Sequence, residues 1–296
     1  DKQTNAKIKI KDETKGTEGV TDWTFAIDIP NITISQPSGG EVWAKGDVAP
    51  IMWTYQGAVI GPLTLQYDTS GTIGAGVQGI DTNVSKTGTT AGTYTYNWTV
   101  PSDAVSSTTI LRIKDNRRTN TYDDSATINV IASPALTVSA PAASSEYVVE
   151  DPMLITWTIR GLSIAQVNIV LWNDANSNNI VDNDETVWTV TSNGNISRGT
   201  SDITGNIYSG QYTGNASWAV PSVTPATTYK IRIRGYKSDN TTLVTTAYSS
   251  AFRIKGGFSF RDETVTSQEF SPLANMANWK AKTNHAIKWY NKGSFP

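Results

Sequence analysis

The strongest constraint on this 296-residue chain is that it repeats itself. The segment ITISQPSGGEVWAKGDVAPIMWTYQG (32–57) returns as LTVSAPAASSEYVVEDPMLITWTIRG (136–161), and EFSPLANMANWKAKTNHAIKWYNKG lies almost at the end. In each copy an apolar residue is followed nine positions later by an aromatic one: Ile34 and Trp43, Val138 and Tyr147, Phe270 and Trp279. Ten positions on stands Trp53, Trp157 or Trp289, and four beyond that Gly57, Gly161 or Gly293. Only the proline slips, from Pro37 and Pro141 to one place earlier at Pro272. A period held this closely means one supersecondary unit used several times over.

A second block closes each unit. YNWTVPSDAVSSTTILRIKD carries Trp98, Pro101 and Arg112, and ASWAVPSVTPATTYKIRIRG carries Trp218, Pro221 and Arg232 at the same spacing. The opening KIKIKDETKGTEGVTDWTFAIDIP matches the end of this block and the strand after it, with Lys9 in the place of the arginine. The expected organisation is therefore residues 1–32 as the last strands of one repeat, 33–133 and 134–257 as complete repeats, and 258–296 as a linker and the first strands of another. On this reading the natural protein continues at both ends. A weaker alternative, half-repeats pairing between molecules, leaves an open sandwich with exposed edges.

Segments such as TLQY, YTYNWTV, ILRIKD, VNIVLW and YKIRIRGY alternate apolar and polar residues between SGG, QG, TSG and PSD turns. Alternation at period 2 gives each strand one buried and one wet face. The composition agrees: 10 Trp and 12 Tyr stand with only 17% charged residues, a profile for half-buried strands rather than helices. The expected fold is all-β, tandem immunoglobulin-like antiparallel β-sandwiches of about seven strands each. Trp53, Trp157 and Trp289 sit in I-x-W strands and are read as core anchors, as are Trp98 and Trp218; Trp172 and Trp188 flank an insertion and are left open.

The pattern P-x-G-G-E-x-W, I-x-W-x-x-x-G, W-x-V-P-S and Y/L-x-I-R-I resembles the Ig-like module of fungal cell-wall glucan-assembly proteins, the Ser/Thr-rich anchored family. That module also recurs in large bacterial and archaeal surface proteins. The likeness is carried by Pro37, Gly39, Gly40, Glu41, Trp43, Ile51, Trp53, Gly57, Trp98, Pro101 and Arg112, and by their counterparts in the second repeat. ASSEY replaces GGEVW at 143–147, so that turn must differ. The resemblance implies a surface-exposed β-sandwich and names no ligand.

One stretch carries specific chemistry. In WNDANSNNIVDNDE, with Asp174 as position 1, oxygen-bearing side chains fall at positions 1, 3, 5, 9 and 12: Asp174, Asn176, Asn178, Asp182 and Glu185. The carbonyl of Ile180 falls at position 7. This is the spacing of a calcium loop whose twelfth-position Glu chelates with both oxygens. Asn179 takes the position that needs a left-handed backbone, which Asn tolerates best after Gly. Strands rather than helices flank the loop, so it resembles the strand-embedded calcium loops of bacterial adhesin repeats. Calcium is the expected cofactor, its role to stiffen a long loop. A solvated Asx-rich turn is the competing reading. A second cation among Asp115, Asp123 and Asp124 is less favoured than a plain hairpin loop. The six Asn-x-Ser/Thr sequons, Asn31, Asn83, Asn97, Asn195, Asn215 and Asn240, are no more than chance supplies in so Asn-, Ser- and Thr-rich a chain.

Other functions find little support. There is no cysteine, and the one histidine, His285, lies in the incomplete last repeat, so no Ser-His or Cys-His site is expected. Lys and Arg number 24 against 26 Asp and Glu, which argues against nucleic acid as a partner. No apolar run approaches a membrane span. The sequence thus points to a non-enzymatic, extracellular cell-surface or cell-wall protein, a surface-layer type array with partners in its own copies or the rest of a longer chain. The alternatives are a carbohydrate-binding or adhesin stalk touching cell-wall polysaccharide, or accessory modules of a secreted hydrolase.

Overall fold

The computed structural model describes residues 3–27, 30–57, 62–84, 92–118, 120–182, 185–190, 196–197, 208–213, 219–261 and 288–292. Two compact units divide the chain, one holding Asp1–Ser133 and the other built on Pro134–Thr200 and Ile207–Pro296. Among the described residues the secondary structure is strand, apart from one 3₁₀ turn at Ser102–Ala104. No described helix is long and apolar enough to cross a membrane.

The first complete sandwich contains β1 (Asn31–Gln36), β2 (Val42–Ala44), β3 (Val48–Gln56), β4 (Leu63–Asp68), β5 (Gln78–Val84), β6 (Gly92–Thr99), β7 (Ser106–Asp115), β8 (Tyr122–Asp124) and β9 (Ile128–Ile131). One sheet runs β6-β3-β1, and the other runs β2-β9-β7-β4-β5 with β8 added to β7. Alternation on β3 sends Ile51, Trp53 and Tyr55 inward, where they face Leu63, Leu65 and Tyr67 of β4 and Leu111 and Ile113 of β7. Trp98 closes one end of this core, with ring centroids 6.0 Å from Trp43 and 5.3 Å from Tyr67.

The second sandwich repeats the plan with β10 (Ala135–Ala140), β11 (Glu146–Val148), β12 (Leu154–Arg160), β13 (Gln166–Asn173), β14 (Val187–Thr189), β15 (Ile196–Ser197), β16 (Tyr208–Thr213), β17 (Ala226–Tyr236), β18 (Leu243–Tyr248) and β19 (Phe252–Lys255). Its sheets run β10-β12-β16 and β11-β19-β17-β13-β14, with β15 on β13 and β18 on β17. Each repeat therefore has more than the seven strands expected, because short edge pieces such as β2, β8 and β11 carry too little alternation to register in sequence. Most pairs are antiparallel, but β2 lies parallel to β9 and β11 parallel to β19. The sheets are thus mixed at one edge, a pairing that joins the start of each repeat to its end.

The repeated residues explain themselves in place. Trp53 and Trp157 are buried, and their indole nitrogens find no hydrogen-bond partner among the described residues. Both are apolar fillers, not platforms for a sugar. Gly57 and Gly161 adopt φ of 84° and 90°, and a Cβ at Gly57 would meet the Pro30 Cα at 3.0 Å. Before each turn the Gln36–Pro37 and Ala140–Pro141 bonds are cis. In the first repeat the fully buried Glu41 carboxylate then collects the Ser38 N–H (2.7 Å), the Ser38 hydroxyl (2.9 Å), the Gly39 N–H (2.7 Å) and the Gln36 amide (2.9 Å). The second repeat builds this turn differently, with Ser144 left-handed at φ 63°.

At the chain's start, Gln3–Ala6 pairs with Phe25–Ile27 and Lys9–Lys11 with Glu18–Val20. Ile10, Val20 and Trp23 of this region are exposed. Near the end Gly257–Arg261 pairs with Lys288–Lys292, which sets Trp289 opposite Phe260. The side chain of Trp289 and the positions Asn195, Asn215, Trp218, Phe270, Pro272, Trp279, His285 and Gly293 lie outside the described residues.

Candidate metal centre

In both repeats the strand next to the middle one of the larger sheet leads into a loop organised by one carboxylate. After β4, Asp68 accepts the Ser70 N–H (2.9 Å), the Ser70 hydroxyl (2.7 Å) and the Gly74 N–H (3.0 Å). These donors, the Ser70 hydroxyl foremost, hold the Asp68 carboxyl below the usual range. The loop is complete without further help.

After β13 the corresponding loop is the acidic stretch. Asp174 is fully buried at its mouth. Its Oδ2 accepts the Lys230 ammonium at 2.6 Å and the Asn179 N–H at 3.3 Å, while its buried Oδ1 has no hydrogen-bond partner among the described residues. Ser177 and Asn179 both adopt φ of 60°, Asn179 being the position where the spacing calls for such a backbone. Asn176 Oδ1 accepts the Asn178 N–H (3.0 Å), and Asn178 Oδ1 accepts the Ile180 N–H (2.7 Å), successive turns that short polar side chains favour. Asp182 Oδ2 accepts the amides of Asn176 (2.7 Å) and Asn178 (2.9 Å). Glu185 receives the Ala175 N–H on Oε1 and the Asp182 N–H on Oε2, both at 3.2 Å. The Ile180 side chain points to solvent.

The structure thus brings Asp174, Asn176, Asn178, Asp182 and Glu185 into one loop, where they accept N–H groups of the loop itself and, at Asp174, the Lys230 ammonium. Among the described residues no group of three carboxylates or histidines stands close enough to hold a metal. A cation entering here has to displace the Lys230 ammonium from Asp174 and the Asn amides from Asp182. What favours its entry is the donor chemistry: three carboxylates and two amide oxygens, hard ligands of the kind calcium takes, plus one buried carboxylate oxygen with no donor among the described residues.

Lys230 is the residue that sequence reasoning missed. It lies 56 positions from Asp174 and also donates to Asn179 Oδ1 at 2.7 Å. The available signal was its place: YKIRIRG of the second repeat has a lysine where ILRIKD of the first has Ile110. The acidic trio of the first repeat is divided among separate tasks. Asp115 caps Arg117 N–H (2.8 Å), Asp123 accepts Ile34 N–H (2.7 Å), and Asp124 pairs with Arg112 (2.5 Å).

Beside the calcium-like loop lies a cavity of about 340 Å³, bordered by Asn176, Glu185, Trp188 and Tyr229. The rings of Trp188 and Tyr229 stand 6.1 Å apart. Trp172, the other tryptophan beside the insertion, is fully buried on the opposite face of β13.

Neither a protein-family model nor a curated protein matches the chain. Solved structures similar to it include Clostridium thermocellum CbhA fibronectin(III)-like modules, at 13% identity over 75% of this chain and 92% of that one, TM-score 0.21. Rst D1-D2 matches at 12% identity over 76% and 100%, TM-score 0.25. The N-terminal four Ig domains of Dscam1 isoform 1.9 match at 7% over 84% and 54%, TM-score 0.23. The immunoglobulin-like assignment rests on the strand order and register of the two sandwiches.

Proposed function

We propose that this chain is a length of a non-enzymatic, extracellular structural protein, a surface-layer or cell-wall array in which Ig-like repeats act as spacers. The observation behind it is the recurrence of one sandwich, with the same strand order and the same buried I-x-W anchor, in consecutive units. Repeated units that each bury their own core add length rather than a reaction centre. Calcium is the proposed cofactor. Asp174, Asn176, Asn178, Asp182 and Glu185 would hold it, with the Ile180 carbonyl, and its effect would be to fix the loop between β13 and β14. The buried Oδ1 of Asp174, without a hydrogen-bond donor among the described residues, supports this.

Calorimetric titration with calcium tests the site, together with melting curves in calcium and in chelator. A saturable heat and a higher melting temperature for the second repeat are expected; no heat and superimposed melts would refute the calcium reading. Sedimentation and electron microscopy with calcium present test the array, which predicts ordered self-association.

A second reading, a carbohydrate-binding or adhesin stalk, is favoured by the cavity beside Trp188. Its polar rim and half-buried indole suit a sugar ring, and neutral oligosaccharides quenching tryptophan fluorescence in wild type but not in Trp188→Ala would support it.

A further inference from the structure

The two repeats treat the same arginine in opposite ways. In the first, Arg112 of β7 forms a two-pronged pair with Asp124 on β8, at 2.5 Å from Nε and 2.6 Å from Nη2. The Tyr122 ring lies 4.1 Å from its guanidinium carbon. In the second, Arg232 of β17 stands at the matching place, and the residue directly across on β18 is Tyr248. Arg232 is only 8% exposed. Its guanidinium carbon lies 5.6 Å from the ring of the fully buried Trp172. Tyr248, itself 36% exposed, packs on that indole at 5.3 Å.

Among the described residues of the repeat, no carboxylate answers the charge of Arg232. Its Nε has no hydrogen-bond partner among them. The next residue on this face, Arg234, is a second cation, and burial with that neighbour depresses the Arg232 pKa. Guanidinium nonetheless stays charged in proteins. A buried charge with no partner is strongly unfavourable, whereas a planar guanidinium held by aromatic rings is already oriented for a carboxylate.

We propose that Arg232, with Arg234 beside it, anchors a site for an acidic saccharide on the outer face of the second repeat's larger sheet. The carboxylate of a uronate ring meets the Nη end of the guanidinium, the Nε edge that Asp124 reaches in the first repeat being closed to solvent here. The half-exposed Tyr248 next to it offers an aromatic surface for the ring's C–H face, which a peptide carboxylate does not need. The site adjoins the acidic loop, since Trp172 lies directly across from the Lys230 that holds Asp174, but it uses none of that loop's oxygens.

The test tracks the Nε–H signals of the nine arginines by NMR while the full chain is titrated with a trigalacturonate. Parallel titrations use the neutral galactose trimer, acetate and an acidic peptide. The Arg232 signal is expected to shift saturably with the uronate, at least tenfold more tightly than with the other three. In Arg232→Gln the neighbouring Arg234 Nε–H, which moves with the uronate in wild type, no longer shifts saturably. Arg234→Gln, at a more exposed position, weakens binding two- to fivefold while the melting temperature holds. Tyr248→Asp, which installs the first repeat's own carboxylate, eliminates binding and raises the melting temperature. No saturable shift overturns the proposal, as does equal binding by acetate or preferential binding by the peptide. Uronate binding that survives Tyr248→Asp overturns it as well.

Discussion

Replacing Lys230 by Met separates the two cations that compete for Asp174. The Lys230–Asp174 pair is 2.6 Å long, and its side chains are 11% and 0% exposed, so solvent screens it little. Deleting one member of such a buried pair leaves the other charge unanswered, at a cost of about 3–5 kcal/mol. For a domain of this size that lowers the melting temperature by roughly 10–20 °C in chelator. With calcium the sign reverses. Wild-type protein has to give up a charge-assisted hydrogen bond of about 1.5–3 kcal/mol before Asp174 Oδ2 can turn to the metal. The variant gives up nothing, so its calcium affinity should rise roughly tenfold to a hundredfold. Melting curves of both proteins, with chelator and with saturating calcium, carry the measurement, and calorimetry supplies the affinities. A loss in chelator that calcium fails to restore refutes the metal site. A loss below about 1 kcal/mol in chelator refutes the buried pair, since that is the range of exposed ion pairs.

Three further outcomes are expected. Trp157→Ala should destabilise the second repeat by about 3–5 kcal/mol, and Trp53→Ala the first by as much; urea unfolding with two resolved transitions would show each variant moving only its own. Glu41→Gln presents an amide nitrogen to donors that now meet a carboxylate oxygen, such as the Gly39 N–H at 2.7 Å, and should cost about 1–3 kcal/mol by the same assay. Burial pushes the Tyr229 phenol up to about 12 from 10.0. Its folded pKa is raised, so stability is complete below pH 10 and falls as pH climbs toward 12, by about 2.7 kcal/mol for two pH units. Tyr229→Phe should flatten that alkaline loss, and an unchanged slope would exclude Tyr229 as its source.

Much of this architecture was legible in the chain because strands write themselves locally. Alternation at period 2 names the inward faces, so Ile51 shares the core with Trp53, and Ile155 with Trp157. The glycine four residues after each tryptophan marked a turn, and Gly57 and Gly161 are left-handed. The loop at 174–185 was equally visible, because its side chains lie within twelve consecutive residues.

What stayed hidden depends on residues far apart in the chain. The parallel edge joining β2 to β9 leaves no mark in either short strand. Asp123 caps the backbone of Ile34 from 89 positions away. Whether the repeated arginine, in R-I-K of the first repeat and R-I-R of the second, meets Asp124 or Tyr248 depends on which residue the hairpin places across from it. The loop's chemistry is divided the same way. Its spacing alone predicted oxygens arranged for calcium, but the fold delivers the Lys230 ammonium to the first of them. Local pattern determines which way a side chain points, while the charge that answers it comes from whichever strand the sheet sets alongside.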